Sequence, residues 1–245
     1  MCLVIQIKFC VVFLYYNYSS LFVFLLNRVY LMRQVIRTLF LLVYKAFTLG
    51  FNKDKSFSRY AMYESISEFF PSEFNKGKVL SISHSGHLLN YIDYEAVSIF
   101  EKNFPEETIF DIKSENNTYD LVLSDQVFEH IDGHPADAIN EVMRVLKPGG
   151  LMLHTTCMFV PVHGEDDYWR YTPNGLKLLT EKCGARCLVA KGVGGPSQFL
   201  IGLLGWTFLP VPTNRYHPFN YLARSSRNSY PTLVWVVAQK PLVSE

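Results

Sequence analysis

The chain has 245 residues, enough for one sizeable α/β core with a further segment appended. Its net charge of +1 argues against the broad electrostatic footprint of a nucleic-acid binder. The distribution tells more than the sum. Residues 1–50 carry Lys8, Arg28, Arg33, Arg37 and Lys45 and no acid, whereas the other 195 carry 18 basic and 22 acidic side chains. Two physically different segments are joined here.

The first is apolar. Phe9 to Leu26 is an 18-residue run without a charge, about 27 Å long if helical, but Asn17, Ser19 and Ser20 make it a marginal span. Arg28, Arg33 and Arg37 follow it and only Lys8 precedes it, so the positive-inside bias would leave the following domain in the cytoplasm. Val29, Met32, Val35, Ile36, Leu39 and Val43 then recur on one helical stripe. That stripe suits an amphipathic helix lying on anionic lipid, and equally a helix packed over the sheet that follows. Translation from Met32 is a third reading of the region. The expectation is a cytoplasmic protein whose N-terminal segment can hold it at a membrane surface.

Residues 51–77 read as a polar connector carrying one helix, with Tyr60, Tyr63, Ile66, Phe69 and Phe70 on its apolar side. Val79–Ile82 and Ala96–Glu101 read as strands, and Thr108–Asp111 as a third, very short one. Only nine residues separate Glu101 from Asp111, too few for an ordinary crossover helix between strands.

The stretch 118–156 is the most informative. Leu121, Val122 and Leu123 form a buried-strand run ending in Ser124, Asp125 and Gln126. Ile139, Val142, Met143 and Leu146 then fall at i, i+3, i+4 and i+7, one stripe of a helix. Pro135 suits its start, Asp137 its first turn and Lys147 its last, while Pro148-Gly149-Gly150 should turn the chain. Leu151–Leu153 returns as a strand ending in His154, Thr155 and Thr156. In an open parallel sheet such strand ends line the ligand crevice, which makes Asp125 and Gln126 candidates for ligand contact.

The loop after that strand, from Cys157 to Arg170, is rich in groups that position or deprotonate a hydroxyl. Histidine changes charge near neutrality, so His163 is the leading general-base candidate, beside the simpler role of a hydrogen-bonding loop residue. Tyr168, Trp169 and Arg170 suit a sugar ring or a phosphate. Trp169 and Arg170 equally suit structure, with the guanidinium bridging Asp166 or Asp167. His130 reads as a brace at its strand end. Thr172-Pro173 starts a helix that Gly184 stops, residues 185–230 read as an insertion or lid, and Leu233–Ala238 is a final strand. Cys183 and Cys187 lack a second pair or nearby histidines, so neither a zinc site nor any other metal is expected.

The ordered set YDLVLSDQVFEHI, INEVMRVLKPGGLMLHTT and DDYWRYTPNGLKLLTEKCG resembles the second half of a class I S-adenosylmethionine-dependent methyltransferase. More narrowly, it resembles small bacterial-type methyltransferases associated with polysaccharide or lipid-linked sugar biosynthesis. The match runs from about Lys78 to Gly184. It implies a doubly wound, mostly parallel Rossmann-like sheet with an antiparallel last strand, forming a domain over residues 78–245. It also implies S-adenosylmethionine as cofactor, and methyl transfer to an oxygen or nitrogen of a small or glycan-like acceptor.

The resemblance places the cofactor against Ser81, Ser83 and Gly86 after the first strand, Glu101 at the ribose, and Asp111 and Ile112 near the adenine. Asp125 and Gln126 complete that set. The family's acidic residue and glycine-rich turn are reduced here, with Ser81 at the acidic place and Gly86 alone among the glycines. The alternative is therefore a catalytically inactive scaffold that binds a partner. A dinucleotide-dependent oxidoreductase would need a G-x-G-x-x-G that this strand lacks.

Overall fold

The computed structural model describes residue 28 and residues 30–40, 51–206, 209–225 and 230–242, with 51–55 described by backbone alone. The chain divides into two compact units, Met1–Leu49 and Gly50–Glu245. In the first, helix α1 is described over residues 30–40, and Met32, Val35, Ile36 and Leu39 along it are all exposed. The run Phe9–Leu26, together with Val29 and Val43, lies outside the described residues. Among those described, no helix is long and apolar enough to cross a membrane.

The second unit is built on a six-stranded sheet. Its strands, in chain order, are β2 (Lys76–Ile82), β3 (Glu95–Lys102), β4 (Tyr119–Asp125), β5 (Leu146–Cys157), β6 (Arg186–Val193) and β8 (Leu233–Gln239). Across the sheet they run β3-β2-β4-β5-β8-β6. Strands β2 to β5 pair in parallel, and β8 enters antiparallel between β5 and β6. The antiparallel last strand is thus the one expected.

Alternation along the strands loads both faces. Val122, Met152, Val234 and Val236 point into one core, against α3 (Pro135–Val145) and α4 (Pro173–Lys182). Leu121, Leu123, Leu151, Leu153, Trp235 and Val237 point into the other. That second face is covered by α2 (Phe57–Phe69) and by the 3₁₀ segment Ser85–Tyr91. α2 is therefore more than a connector. It buries Phe57, Tyr60, Met62, Tyr63 and Ile66, although Phe69 at its end stays exposed.

Helix α3 forms as its stripe predicts, with Ile139 and Val142 fully buried. His134 caps it by accepting from the Ala136 amide at 3.2 Å, and Pro135 occupies the first turn. It stops at Val145, two residues before the expected end, because Leu146 already pairs with Tyr119 across β4. The Lys147–Gly150 turn is accordingly the opening of β5, where Gly149 takes φ 82°.

Two expectations need correction. Thr108–Asp111 adds no strand to the sheet; Thr108 and Asp111 bridge each other instead. The supposed insertion 185–230 begins as a sheet strand, since β6 pairs with β8 along its length. Three elements beyond β6 lie outside the sheet: α5 (Pro196–Leu203), β7 (Pro210–Pro212) and α6 (Pro218–Arg224). β7 pairs antiparallel with β1 (Phe51–Ser56), and Val211 and Ala223 bury against Phe57 and Tyr60 of α2. Residues far apart in sequence thus close over one edge of the strand-end crevice.

Candidate active site

The parallel strands β2, β4 and β5 all deliver their C-terminal ends to the same edge. After β2 the backbone turns through left-handed conformations at Ser83 (φ 52°) and His84 (φ 59°), the geometry for which a glycine-rich turn exists. The turn survives here without its glycines. Ser85, fully buried, accepts from the Asp125 amide through its Oγ at 2.7 Å and so ties this loop to the end of β4. At the next position an added Cβ on Gly86 would stand 2.8 Å from Glu101 Oε1. Ser81, at the family's acidic place, donates from Oγ to Glu101 Oε2 at 2.8 Å. Ser81 and Gly86 therefore set the position of the Glu101 carboxylate at the end of β3.

Asp125 is the best-connected group of the edge. Its Oδ2 accepts from Tyr63 Oη at 2.7 Å and Arg59 Nη1 at 3.0 Å and faces His87 Nε2 at 2.9 Å, while Oδ1 accepts from Thr155 Oγ1. Burial by itself would raise its pKa. The hydrogen bond from His87 and the charge of Arg59 outweigh burial and hold it below the ordinary carboxyl value. His87 is raised in turn, chiefly by Asp125. Its Nδ1 sits 3.1 Å from the His84 carbonyl, so both ring nitrogens face acceptors, as an imidazolium requires.

Gln126 follows with φ 57°. Oriented to satisfy both ends, its side chain donates to Glu129 Oε1 at 3.0 Å and accepts from the Thr156 amide at 3.3 Å. Glu129 is fully buried and its Oε2 accepts from Thr156 Oγ1 at 2.9 Å; burial raises its pKa. The loop from His163 to Arg170 laces onto this corner. The Tyr168 and Trp169 amides donate to the Glu129 carbonyl at 2.8 and 3.1 Å, and Trp169 Nε1 to the Ile131 carbonyl at 2.9 Å. Asp167 accepts from both Arg170 guanidinium nitrogens and from the His163 amide at 2.9 Å. The Arg170 hydrogen bond, before any other cause, drives its pKa well down.

Two clefts open beside these groups. One, of about 430 Å³, lies between the β2 turn and the segment 104–110, over an apolar floor of Ile82, Ile109, Phe110, Val127 and Ile131. Ser83, Gln126, His130 and Tyr168 also line it. The second, of about 330 Å³, is walled by Phe159, Val160, Phe199 and Leu233, with Arg59, His163 and Gln198 as its polar groups. Gln126 and His130 line both.

The structure thus brings Ser83, Gln126 and Tyr168 to the first cleft and His163 to the second. Ser81, Gly86 and Glu101 sit behind or beside the turn. Asp125 is 1% exposed at its side chain and fully engaged. Asp111 is exposed and paired with Lys113, while Ile112 is buried with its amide on Glu141; their neighbours Thr108 to Phe110 line the cleft in their place. Trp169 and Arg170 make the structural contacts described above, the guanidinium choosing Asp167 over Asp166. Sequence reasoning missed Arg59, Tyr63 and Glu129. The amphipathic pattern of α2 carries no sign that two of its residues reach a strand end, and the EH pair pointed to His130 without its neighbour.

Residues 72–154, which include β2 to β4, α3 and most of β5, match the family model of a methyltransferase domain. Among solved structures, the chain is similar to a possible histamine N-methyltransferase, S-adenosylmethionine-dependent, from Thermotoga maritima (14% identity, 75% of this chain and 90% of that one, TM-score 0.49). It is also similar to an S-adenosylmethionine-dependent methyltransferase from Mesorhizobium loti (10%, 73% and 97%, 0.47). A third is phosphoethanolamine N-methyltransferase 2 of Haemonchus contortus in complex with S-adenosylmethionine (15%, 74% and 52%, 0.46). No curated protein matches the chain. The matched segment, about a third of the chain, is similar to a methyltransferase domain, and it carries the strand ends that line the clefts on a Rossmann-like sheet of the methyltransferase type.

Proposed function

We propose that the chain transfers a methyl group to an oxygen or nitrogen of a small or glycan-like acceptor held in the second cleft. One observation carries this reading. The two clefts share Gln126 and His130 as lining residues, so they open side by side and a donor in one lies next to an acceptor in the other. The bound cofactor would supply an activated methyl on a sulfonium, and the residues around it do the rest.

The cofactor fits the first cleft on physical grounds. The left-handed turn at Ser83 and His84 brings Ser83 to the cleft, Gly86 leaves room that a Cβ would take, and Ile109, Phe110, Val127 and Ile131 offer an apolar surface for a purine. Glu101, held by Ser81, is the carboxylate available for ribose hydroxyls. The contacts of Asp111 and Ile112 support backbone placement of the adenine-side loop in preference to direct contact. Asp125 acts by holding Arg59, Tyr63, His87 and Thr155 in one arrangement.

On the acceptor side, Phe159 and Phe199, with ring centroids 4.6 Å apart and planes tilted by 30°, give an apolar wall suited to a ring face. Arg59 and Gln198 supply hydrogen bonds. His163 is placed to take the proton that the nucleophile loses, and Tyr168, Trp169 and Arg170 hold the loop that carries it. Most of the rate effect then comes from orientation and exclusion of water.

The reading is tested by calorimetric titration of the full chain with S-adenosylmethionine and with S-adenosylhomocysteine. Saturable binding of both, weakened by Gln126→Ala, is expected. Absence of heat and of thermal stabilisation at millimolar ligand would leave only a partner-binding scaffold.

A further inference from the structure

The sequence suggests no metal site, since Cys183 and Cys187 lack a second pair or nearby histidines. Folding changes this. Glu129, His130 and His163 each bring one ligand-type atom within 4.8 Å of the other two, at the corner where both clefts meet. We propose that these three residues form a binding site for one divalent transition-metal cation of the zinc or iron(II) class.

The surroundings of each residue favour this over a chance grouping. His130 Nδ1 lies 2.5 Å from the Asp166 carbonyl, and His163 Nδ1 lies 3.2 Å from the Pro161 carbonyl and 3.2 Å from Asp167 Oδ2. An oxygen acceptor on Nδ1 fixes the N–H there and leaves Nε2 as the lone-pair donor, the outer arrangement found around metal-bound histidines. The two rings stand edge to face, centroids 5.1 Å apart. Glu129 is fully buried, yet Thr156 holds only its Oε2, and Oε1 is left to the side-chain amide of Gln126. A tetrahedral cation with bonds of about 2.1 Å needs donors about 3.4 Å apart, so the set must close by little more than 1 Å.

Two imidazoles and one carboxylate suit zinc or iron(II) better than magnesium or calcium, which prefer oxygen. Three protein ligands leave at least one open position, and His163 directs it toward the acceptor cleft. The same lone pair of His163 either accepts a proton or binds the cation. In the metal-bound protein the positive charge, and not the imidazole, would favour the deprotonated acceptor. Binding itself stands apart from methyl transfer and is measured without it.

The test uses the full chain, stripped with chelator and titrated with Co²⁺ by visible absorption and with Zn²⁺ by calorimetry. One equivalent should bind. His163→Gln, His130→Gln and Glu129→Gln should each weaken it tenfold or more, and the α3 capping variant His134→Asn should not. If a variant of the buried Glu129 fails to fold, His163→Gln, on a half-exposed loop, decides. Less than one equivalent bound, or unchanged affinity in His163→Gln, overturns the site.

Discussion

His87 Nε2 sits 2.9 Å from Asp125 Oδ2, though 38 residues separate them. The contact exists because β2 and β4 are parallel neighbours, with Ile82 paired to Ser124, so the residues just past each strand share one edge. α2 adds Arg59 and Tyr63 to the same carboxylate. Three chain segments are thereby locked around the turn that follows β2.

Replacing Asp125 by Asn should therefore cost stability and binding together. Arg59 and His87 would lose their counter-charge, and breaking a buried pair typically costs 3–5 kcal/mol. Because Arg59 and His87 are each about one-third exposed, a loss near the lower end, about 3 kcal/mol, is expected from urea unfolding. Weaker S-adenosylmethionine binding should accompany it in the variant that remains folded.

The same contact predicts a pH dependence. His87 is raised above 6.5, so its contribution is complete below that value and is lost as pH rises through the folded pKa. Asp125 is lowered beneath 3.8, so its contribution holds above that value and is lost only as pH falls through the folded one. The pair is strongest between those limits. The stability gap between the native chain and His87→Gln should shrink as pH rises above 6.5, measured by urea midpoints. A constant gap would show that His87 is neutral throughout.

Ser83 offers a test of the turn. Its φ of 52° is tolerated by serine but disfavoured for a β-branched side chain. Ser83→Val should lose about 2 kcal/mol in urea unfolding, whereas Ser83→Gly should lie within about 1 kcal/mol of the native chain.

Gly86→Ala probes the ribose side. The new methyl would meet Glu101 Oε1 at 2.8 Å and push that carboxylate off Ser81. The fold should persist while S-adenosylmethionine affinity falls about tenfold, or about 1.4 kcal/mol. An unchanged Kd would remove Glu101 from the cofactor site.

His154 gives a prediction about the sheet alone. It is fully buried, Ser124 Oγ lies 2.7 Å from its Nδ1, and Nε2 has no hydrogen-bond partner; burial pushes its pKa down to about 3. Ser124→Ala should cost about 1–3 kcal/mol by stranding the second ring nitrogen. The double variant Ser124→Ala/His154→Leu should recover most of that loss, because no buried polar group is then left unpaired. Calorimetric unfolding of the three chains separates these outcomes.

Much of the fold was legible because periodicity is local. Ile139, Val142 and the runs at 121–123 and 151–153 declare a helix between two buried strands without reference to anything else. The element ends were less so: Leu146 joins β5 because Tyr119 is opposite it, a fact of pairing. Thr108–Asp111 failed for the same reason, since a β-prone tetrapeptide with no neighbour to pair with bridges to itself.

The site divides along the same line. Local apolar runs were enough to set the strand ends that carry Ser83, Asp125 and Gln126, and the loop bearing His163, because each of these comes directly after such a run. Tertiary packing alone brought Arg59 and Tyr63 of α2 onto Asp125, and Glu129, His130 and His163 to one corner. Those meetings depend on crossovers and on helix packing, which bring together side chains whose spacing along the chain carries no record of it.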